Sequence, residues 1–158
     1  MKIYKPKFWE KKNNLISFLL FPLSIFLQLI IIIKKNFTLE RAFKVPIICI
    51  GNIYLGGTGK TPLAIEIAKE LKKKSKKPAI IKKYYSEHYD EHNLISEKLD
   101  CLYTDQKRVI AIRNALNNNH DIVLLDDGFQ DYSIKKDLSI ICFNSNQLIG
   151  NGMTLPSG

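Results

Sequence analysis

The sequence is poor in the residues that staple small folds. It holds three cysteines in 158 residues, Cys49, Cys101 and Cys142, odd in number and widely spaced. That excludes a disulfide framework and leaves no zinc-type cysteine pair. Each cysteine lies in or beside an apolar, strand-like run, which points to reduced, buried thiols in a cytosolic compartment. Acidic residues are scarce too. Against 24 Lys and Arg stand 15 Asp and Glu, for a formal charge of +9. Lys72, Lys73, Lys74, Lys76 and Lys77 cluster, and further lysines flank an N-terminal apolar run. Such a surface suits nucleic acid or an anionic membrane. The apolar neighbour favours the membrane, and no nucleic-acid partner is expected. A proteome rich in lysine, isoleucine and asparagine would give the same excess with no partner at all.

Charge is missing altogether between Leu15 and Ile33. As a helix this run would be about 28 Å long, close to the hydrocarbon thickness of a bilayer. Ser17, Pro22, Ser24 and Gln28 interrupt it, and Lys34 and Lys35 are expected to stop it. A signal peptide needs a small-residue cleavage site, which Ile30 to Lys35 does not offer. A buried core helix seldom runs so long without charge. A membrane anchor fits best, and Pro22 and Gln28 leave open whether it spans the bilayer or lies in the interface. Phe8 and Trp9 beside Lys7, Lys11 and Lys12 suit a headgroup region. Residues 1–44 are therefore expected to form a membrane-associated segment and residues 45–158 a single α/β domain.

That domain is organised around Gly56-Gly57-Thr58-Gly59-Lys60-Thr61. Before it, Val45 to Ile50 is a short β-branched run that predicts a buried strand. After it, Leu63 to Leu71 has helical spacing, with Pro62 in the first turn where a missing N–H costs little. Strand, glycine loop and helix are the context of a phosphate-binding loop. The glycines adopt backbone angles closed to other residues, so that N–H groups can surround a phosphate at the positive end of the helix. Lys60 would reach the β- and γ-phosphates, and Thr61 would offer its hydroxyl to Mg²⁺. The usual pattern is G-x-x-x-x-G-K-S/T, and Tyr54 stands at its first glycine. The competing reading is a glycine-rich turn that binds nothing.

The chain continues in alternation. Strands are expected at Pro78–Ile81, Cys101–Tyr103, Asp121–Leu125 and Leu138–Phe143. Helices are expected at Asn93–Leu99 and Gln106–Leu116. This pattern predicts a mostly parallel sheet with flanking helices. The strand ending at Leu125 runs into Asp126-Asp127-Gly128. Acids at such a strand end hold Mg²⁺ directly or through water, with the neighbouring carboxylate orienting a second group. An acidic turn is the bland alternative, since Asp-Gly is a common turn pair. His88, Asp90, Glu91 and His92 crowd one loop. They could supply a base for phosphoryl transfer, or form a solvated loop. A zinc site from His88 and His92 lacks further clustered ligands.

These motifs together resemble a family, the tetraacyldisaccharide 4'-kinases, which act in lipid A biosynthesis. The resemblance rests on Ile50-Gly51-Asn52 leading into Gly56-Gly57-Thr58-Gly59-Lys60-Thr61-Pro62, and on Asp126-Asp127-Gly128-Phe129-Gln130. Gly150-Asn151-Gly152 and Leu155-Pro156-Ser157-Gly158 look like the family's late GNG and LPAG stretches. The resemblance implies a phosphate-loop α/β fold and transfer of the ATP γ-phosphate to the 4'-hydroxyl of an acylated glucosamine disaccharide 1-phosphate, giving lipid IVA. It implies Mg²⁺ and a place on the cytoplasmic face of a bacterial inner membrane. It implies that Gly56, Gly57, Thr58, Gly59, Lys60 and Thr61 bind nucleotide, and that Thr61, Asp126 and Asp127 serve the metal. Asp90-Glu91 resembles the family's GDEP segment, which makes Asp90 the expected base beside Lys60 and Asp127 at the catalytic centre.

The sequence departs from the family in several places, Tyr89 and His92 standing for the Gly and Pro of the GDEP segment among them. Lys82-Lys83-Tyr84-Tyr85-Ser86 stands where the family has S-R-G-Y-G, which makes Lys83 the stand-in for an arginine. The loop from there to Asp90 is short. Asp131 replaces the histidine after Asp-Asp-Gly-Phe-Gln, and is expected to add repulsion beside Asp126 and Asp127. The resemblance covers about the first half of a family member. The chain is expected to be truncated, its remaining half either missing from this sequence or separately encoded as a partner. The alternatives are a decayed fragment that binds nucleotide without catalysis, and a membrane-anchored NTPase that acts on protein partners.

Overall fold

The computed structural model describes residues 6–12, 14–53, 58–84, 100–145 and 149–158. The chain forms two compact units, one of residues 39–52 and 58–142, the other of residues 1–38, 53–57 and 143–158.

The first unit is a five-stranded sheet with helices on both faces. Its strands are β1 (Ile47–Asn52), β2 (Pro78–Lys83), β3 (Leu102–Asp105), β4 (Ile122–Asp126) and β5 (Leu138–Cys142). They lie in the order β3-β2-β4-β1-β5, every pair parallel. Among the described residues two α-helices connect them, α2 (Lys60–Lys73) and α3 (Arg108–Asn117), α1 (Leu15–Phe37) belonging to the other unit. Strand side chains alternate between faces. Ile80 and Leu124 pack with Ile65 and Ala68 of α2. Ile47, Cys49, Ala79, Ile81, Val123 and Leu125 pack with Ala111, Ile112 and Ala115 of α3. Both faces are covered, which is why these strands read as nearly continuous Val, Ile and Leu. Burying each such side chain contributes about 1.5–3 kcal/mol.

The expected strands and helices among the described residues all form, with shifted ends. Pro46 cannot donate to the ladder, and β1 starts at Ile47 and runs two residues further than expected, to Asn52. β2 likewise continues through Lys82 and Lys83. The helix expected at Asn93–Leu99 falls outside the described residues. The lysines at the end of α2 sit in its last turn, where they complement the helix dipole. Lys69 and Lys73 pair with Glu66 and Glu70 on the exposed face.

The second unit is built on α1 (Leu15–Phe37). Lys34 and Lys35 do not stop this helix. They lie in its last turn, where cations are favourable. Asn14 caps the start, its side chain accepting from the Ile16 N–H at 2.9 Å. The polar residues that interrupt the apolar run have partners. Ser17, Ser24 and Gln28 share one face at helical spacing. Asn151 Nδ2 donates to Ser17 Oγ at 3.2 Å, Ser24 Oγ donates to Thr154 O at 2.9 Å, and Ser24 and Ser157 hydroxyls meet at 2.7 Å. Gln28 donates to the Thr154 hydroxyl. The Gly-Asn-Gly and Leu-Pro-Ser-Gly stretches are thus the docking partner of the helix's polar stripe. Trp9 is not an interface anchor as its lysine neighbours suggest. It is buried, its indole N–H donating to Pro156 O at 2.9 Å. The rest of α1 is apolar and exposed, with Leu15, Phe18 and Leu19 each more than 70% accessible. It is long and apolar enough to cross a membrane.

Candidate functional site

The site lies at the carboxyl ends of the strands. From β1 the chain crosses toward β2, and from β4 it crosses the other way toward β5. The connections therefore diverge above the adjacent ends of β1 and β4, the place where open parallel sheets bind ligands. Pairing sets Ile50 beside Asp126 and Ile81 beside Leu125. Counting in twos from Ile48, Ile80 and Leu124 puts Asn52, Lys82 and Asp126 on the α2 face, at the edge where that helix begins.

Gly59 precedes α2 with φ +77, in the left-handed region. A Cβ there would meet nothing within 4 Å, so glycine answers to the backbone angle and not to crowding. The Leu63 N–H closes the first helical bond to Gly59 O at 3.0 Å. No side chain caps α2. Its first N–H groups and its positive dipole end are the kind of surface that takes an anion. Pro62 sits in this first turn, as expected.

Lys60 and Thr61 diverge from this start. Lys60 Nζ donates to Asn52 Oδ1 at 2.8 Å and lies 3.7 Å from Asp127 Oδ1. Thr61 Oγ1 donates to Asp126 Oδ2 at 2.7 Å. Lys82 Nζ donates to the same Asp126 oxygen at 3.1 Å and stands 3.4 Å from Thr61 Oγ1. The two adjacent carboxylates do point apart. Asp126 is 1% exposed, whereas the Asp127 side chain is 60% exposed, on a backbone with φ +61. Asp126 Oδ1 and Thr58 Oγ1 are buried with no hydrogen-bond partner among the described residues.

The donor set fits Mg²⁺. The ion takes one or two carboxylates together with phosphates and water, and seldom a full protein cage. Thr61 and Asp126 supply a hydroxyl and a carboxylate in contact, and the unpartnered Asp126 oxygen keeps acceptor capacity in hand. No cluster of three or more His, Cys, Asp or Glu gathers among the described residues.

The structure brings Lys60, Thr61, Asp126 and Asp127 together, with Gly59 at the helix start. Thr58 is described beside them, while Gly56, Gly57 and Asp90, with His88, Glu91 and His92, fall outside the described residues. Two further residues were not singled out from the sequence. Asn52 holds Lys60, and Lys82 holds Asp126 and Thr61. The signal for Lys82 was the two-residue alternation: Lys82 shares the face of Ile80, and Lys83 belongs to the other face. Asp131 also differs from expectation. It does not simply add repulsion, because Arg108 Nη1 lies 3.5 Å from its carboxylate and Ser133 donates to it. Arg108 Nη2 donates in turn to Asp127 O at 2.6 Å, so this pair ties α3 to the turn after β4.

Comparison with known proteins places the chain in a family. The family model of tetraacyldisaccharide-1-P 4'-kinase matches residues 16–158. The tetraacyldisaccharide 4'-kinase of Pelagibacter ubique (strain HTCC1062) is 47% identical over 159 residues, covering 100% of this chain and 50% of that protein. The protein of the same name from Coxiella burnetii (strain RSA 493 / Nine Mile phase I) is 33% identical over 177 residues, covering 97% and 54%. Among solved structures, the "apo" form LpxK from Aquifex aeolicus in complex with ATP matches with a TM-score of 0.72 at 25% identity, over 91% of this chain and 53% of that one. The chain spans about half the length of the curated relatives it matches. With nearly all of its residues matched, from the start of α1 to the Leu-Pro-Ser-Gly stretch, the chain belongs to the tetraacyldisaccharide-1-P 4'-kinase family.

Proposed function

We propose that this chain carries the nucleotide-binding half of an ATP-dependent lipid kinase. The reaction is transfer of the ATP γ-phosphate to the 4'-hydroxyl of an acylated glucosamine disaccharide 1-phosphate. One observation carries the reading: Lys60 and Thr61, at the uncapped start of α2, stand with Asp126 at the carboxyl ends of two adjacent parallel strands. In this reading the α2 N–H groups and Gly56, Gly57, Thr58 and Gly59 take the β- and γ-phosphates. Lys60, released from Asn52, reaches the transferring group and offsets its charge. Thr61 and Asp126 would hold Mg²⁺, with Asp127 beside them. The bound ion would neutralise phosphate charge that builds as the terminal bond breaks. Asp90 takes the proton of the attacking hydroxyl, the new P–O bond forms, and ADP leaves with the bridging oxygen.

The same proposal sets the chain on the cytoplasmic face of a bacterial inner membrane, where the lipid substrate and ATP meet. The exposed apolar faces of α1 support an interfacial position. Its polar stripe is already used by residues 151–157 of its own unit, and irregular backbone of that kind is not tolerated against lipid tails.

The test is a radiolabelled phosphoryl-transfer assay with the purified chain in detergent, Mg²⁺, ATP and tetraacyldisaccharide 1-phosphate. Labelled lipid that is lost in Lys60→Ala and in Asp90→Ala supports the reading. ATP binding without labelled lipid would restrict this chain to nucleotide binding.

A further inference from the structure

The side chain that does not belong in an ordinary magnesium site is Lys82. It is 7% exposed and comes from the penultimate residue of β2. Its ammonium donates to Asp126 Oδ2 at 3.1 Å and lies 3.4 Å from Thr61 Oγ1. These two oxygens are 2.7 Å apart. They belong to the two residues that would hold a magnesium ion here, beside the Asp126 oxygen that has no hydrogen-bond partner among the described residues. A cation of the chain itself therefore stands on the residues that would ligate the metal, where a member of the family has the serine of S-R-G-Y-G.

We propose that Lys82 is a built-in counter-cation of this phosphate loop. It holds Asp126 and Thr61 together before nucleotide arrives, and it weakens the site's hold on a divalent cation. The inference rests on the reading of residues 56–61 as a nucleotide loop. Its physical basis is short. A buried carboxylate needs a positive partner, and Lys82 supplies one. Once that partner is present, a second cation at the same oxygens meets like charge at close range in a site shielded from water. Binding of ATP then depends less on Mg²⁺ than it would with a neutral side chain at this position. Lys82 is a positioning residue in this account, acting through Asp126 and Thr61.

The experiment uses the full chain, with Mn²⁺ as a spectroscopic probe of the divalent site. ATP affinity is measured by calorimetry in EDTA and in millimolar MgCl₂, and Mn²⁺ affinity of the ATP complex by paramagnetic resonance. For the wild type, the two ATP affinities should agree within about fivefold. In Lys82→Met and Lys82→Ser, Mn²⁺ should bind about tenfold more tightly or better, while Lys82→Arg should stay near the wild type. Unchanged or weaker Mn²⁺ binding in both neutral variants overturns the inference. Should neither neutral variant fold, the wild type decides alone, and a loss of ATP affinity in EDTA greater than about fivefold overturns it. ATP binding with no Lys82 effect removes this inference only. Absence of ATP binding by the wild type removes the nucleotide-loop reading and this inference with it.

Discussion

The ring of Phe129 lies so close to Gly51 that a Cβ on Gly51 would come within 2.3 Å of Phe129 Cδ2. Gly51 precedes the last residue of β1, and Phe129 follows the turn after β4, so the contact joins the phosphate-loop strand to the Asp-Asp-Gly-Phe-Gln segment. Gly51→Ala should destabilise the chain by about 1–3 kcal/mol through overpacking. Adding Phe129→Leu should recover part of that loss. Denaturant unfolding of both variants checks this, and an unaffected midpoint in Gly51→Ala would contradict it.

Arg108 and Asp131 tie α3 to the turn after β4. Their side chains are 11% and 22% exposed, and the arginine also holds Asp127 O. Asp131→Ala removes the carboxylate and leaves a mostly buried guanidinium short of a partner. The expected cost is about 1–2 kcal/mol, less than for a fully buried pair because both groups keep some contact with water. Thermal unfolding that is unmoved by Asp131→Ala would show that Arg108 finds compensation elsewhere.

The apolar face of α1 is available for a lipid surface. Phe18→Ser, Leu19→Ser and Phe26→Ser together should cut co-sedimentation with anionic vesicles about tenfold or more, since each removes apolar area that would leave water. Ser24→Ala loses bonds to Thr154 and Ser157 and acts on stability instead. Equal sedimentation of the triple variant and the wild type would remove α1 as the contact.

Burial pushes the thiols of Cys49, Cys101 and Cys142 upward, Cys142 being the least buried of the three. A raised thiol favours the neutral form in the folded chain. The stability tied to it is whole below the ordinary thiol range, about pH 8.5, and is lost as pH rises through that range toward the raised value. Unfolding midpoints should therefore fall on the alkaline side. At neutral pH, iodoacetamide should label Cys142 before Cys49 and Cys101. Rapid native labelling of Cys49 would contradict the burial argument.

Much of this was legible in the sequence. Runs such as Ile122 to Leu125 and the helical spacing from Leu63 to Leu71 announce a sheet buried on both faces, because parallel strands need apolar residues at every position. The gathering of Lys60, Thr61, Asp126 and Asp127 at one end of the sheet was legible because a glycine loop and an acidic strand end both fall at the carboxyl ends of strands. Strand ends were not, since pairing with a neighbour carries β1 on through Asn52 and β2 through Lys82, past the last apolar residue. Asn52 and Lys82 were missed for that reason. The polar stripe of α1 was read as interruption, because its partners lie more than 120 residues away in the chain. Asp131 was read as repulsive because Arg108 sits on another element.

The central claim is that the loop before α2 binds nucleotide phosphates through Lys60. The most direct measurement is calorimetric titration of ATP into the full wild-type chain and into Lys60→Ala. The account predicts saturable one-site binding to the wild type, weakened about 10- to 100-fold or more in the variant, the range expected for losing bonds to a charged group. Equal affinity in the two chains would contradict it.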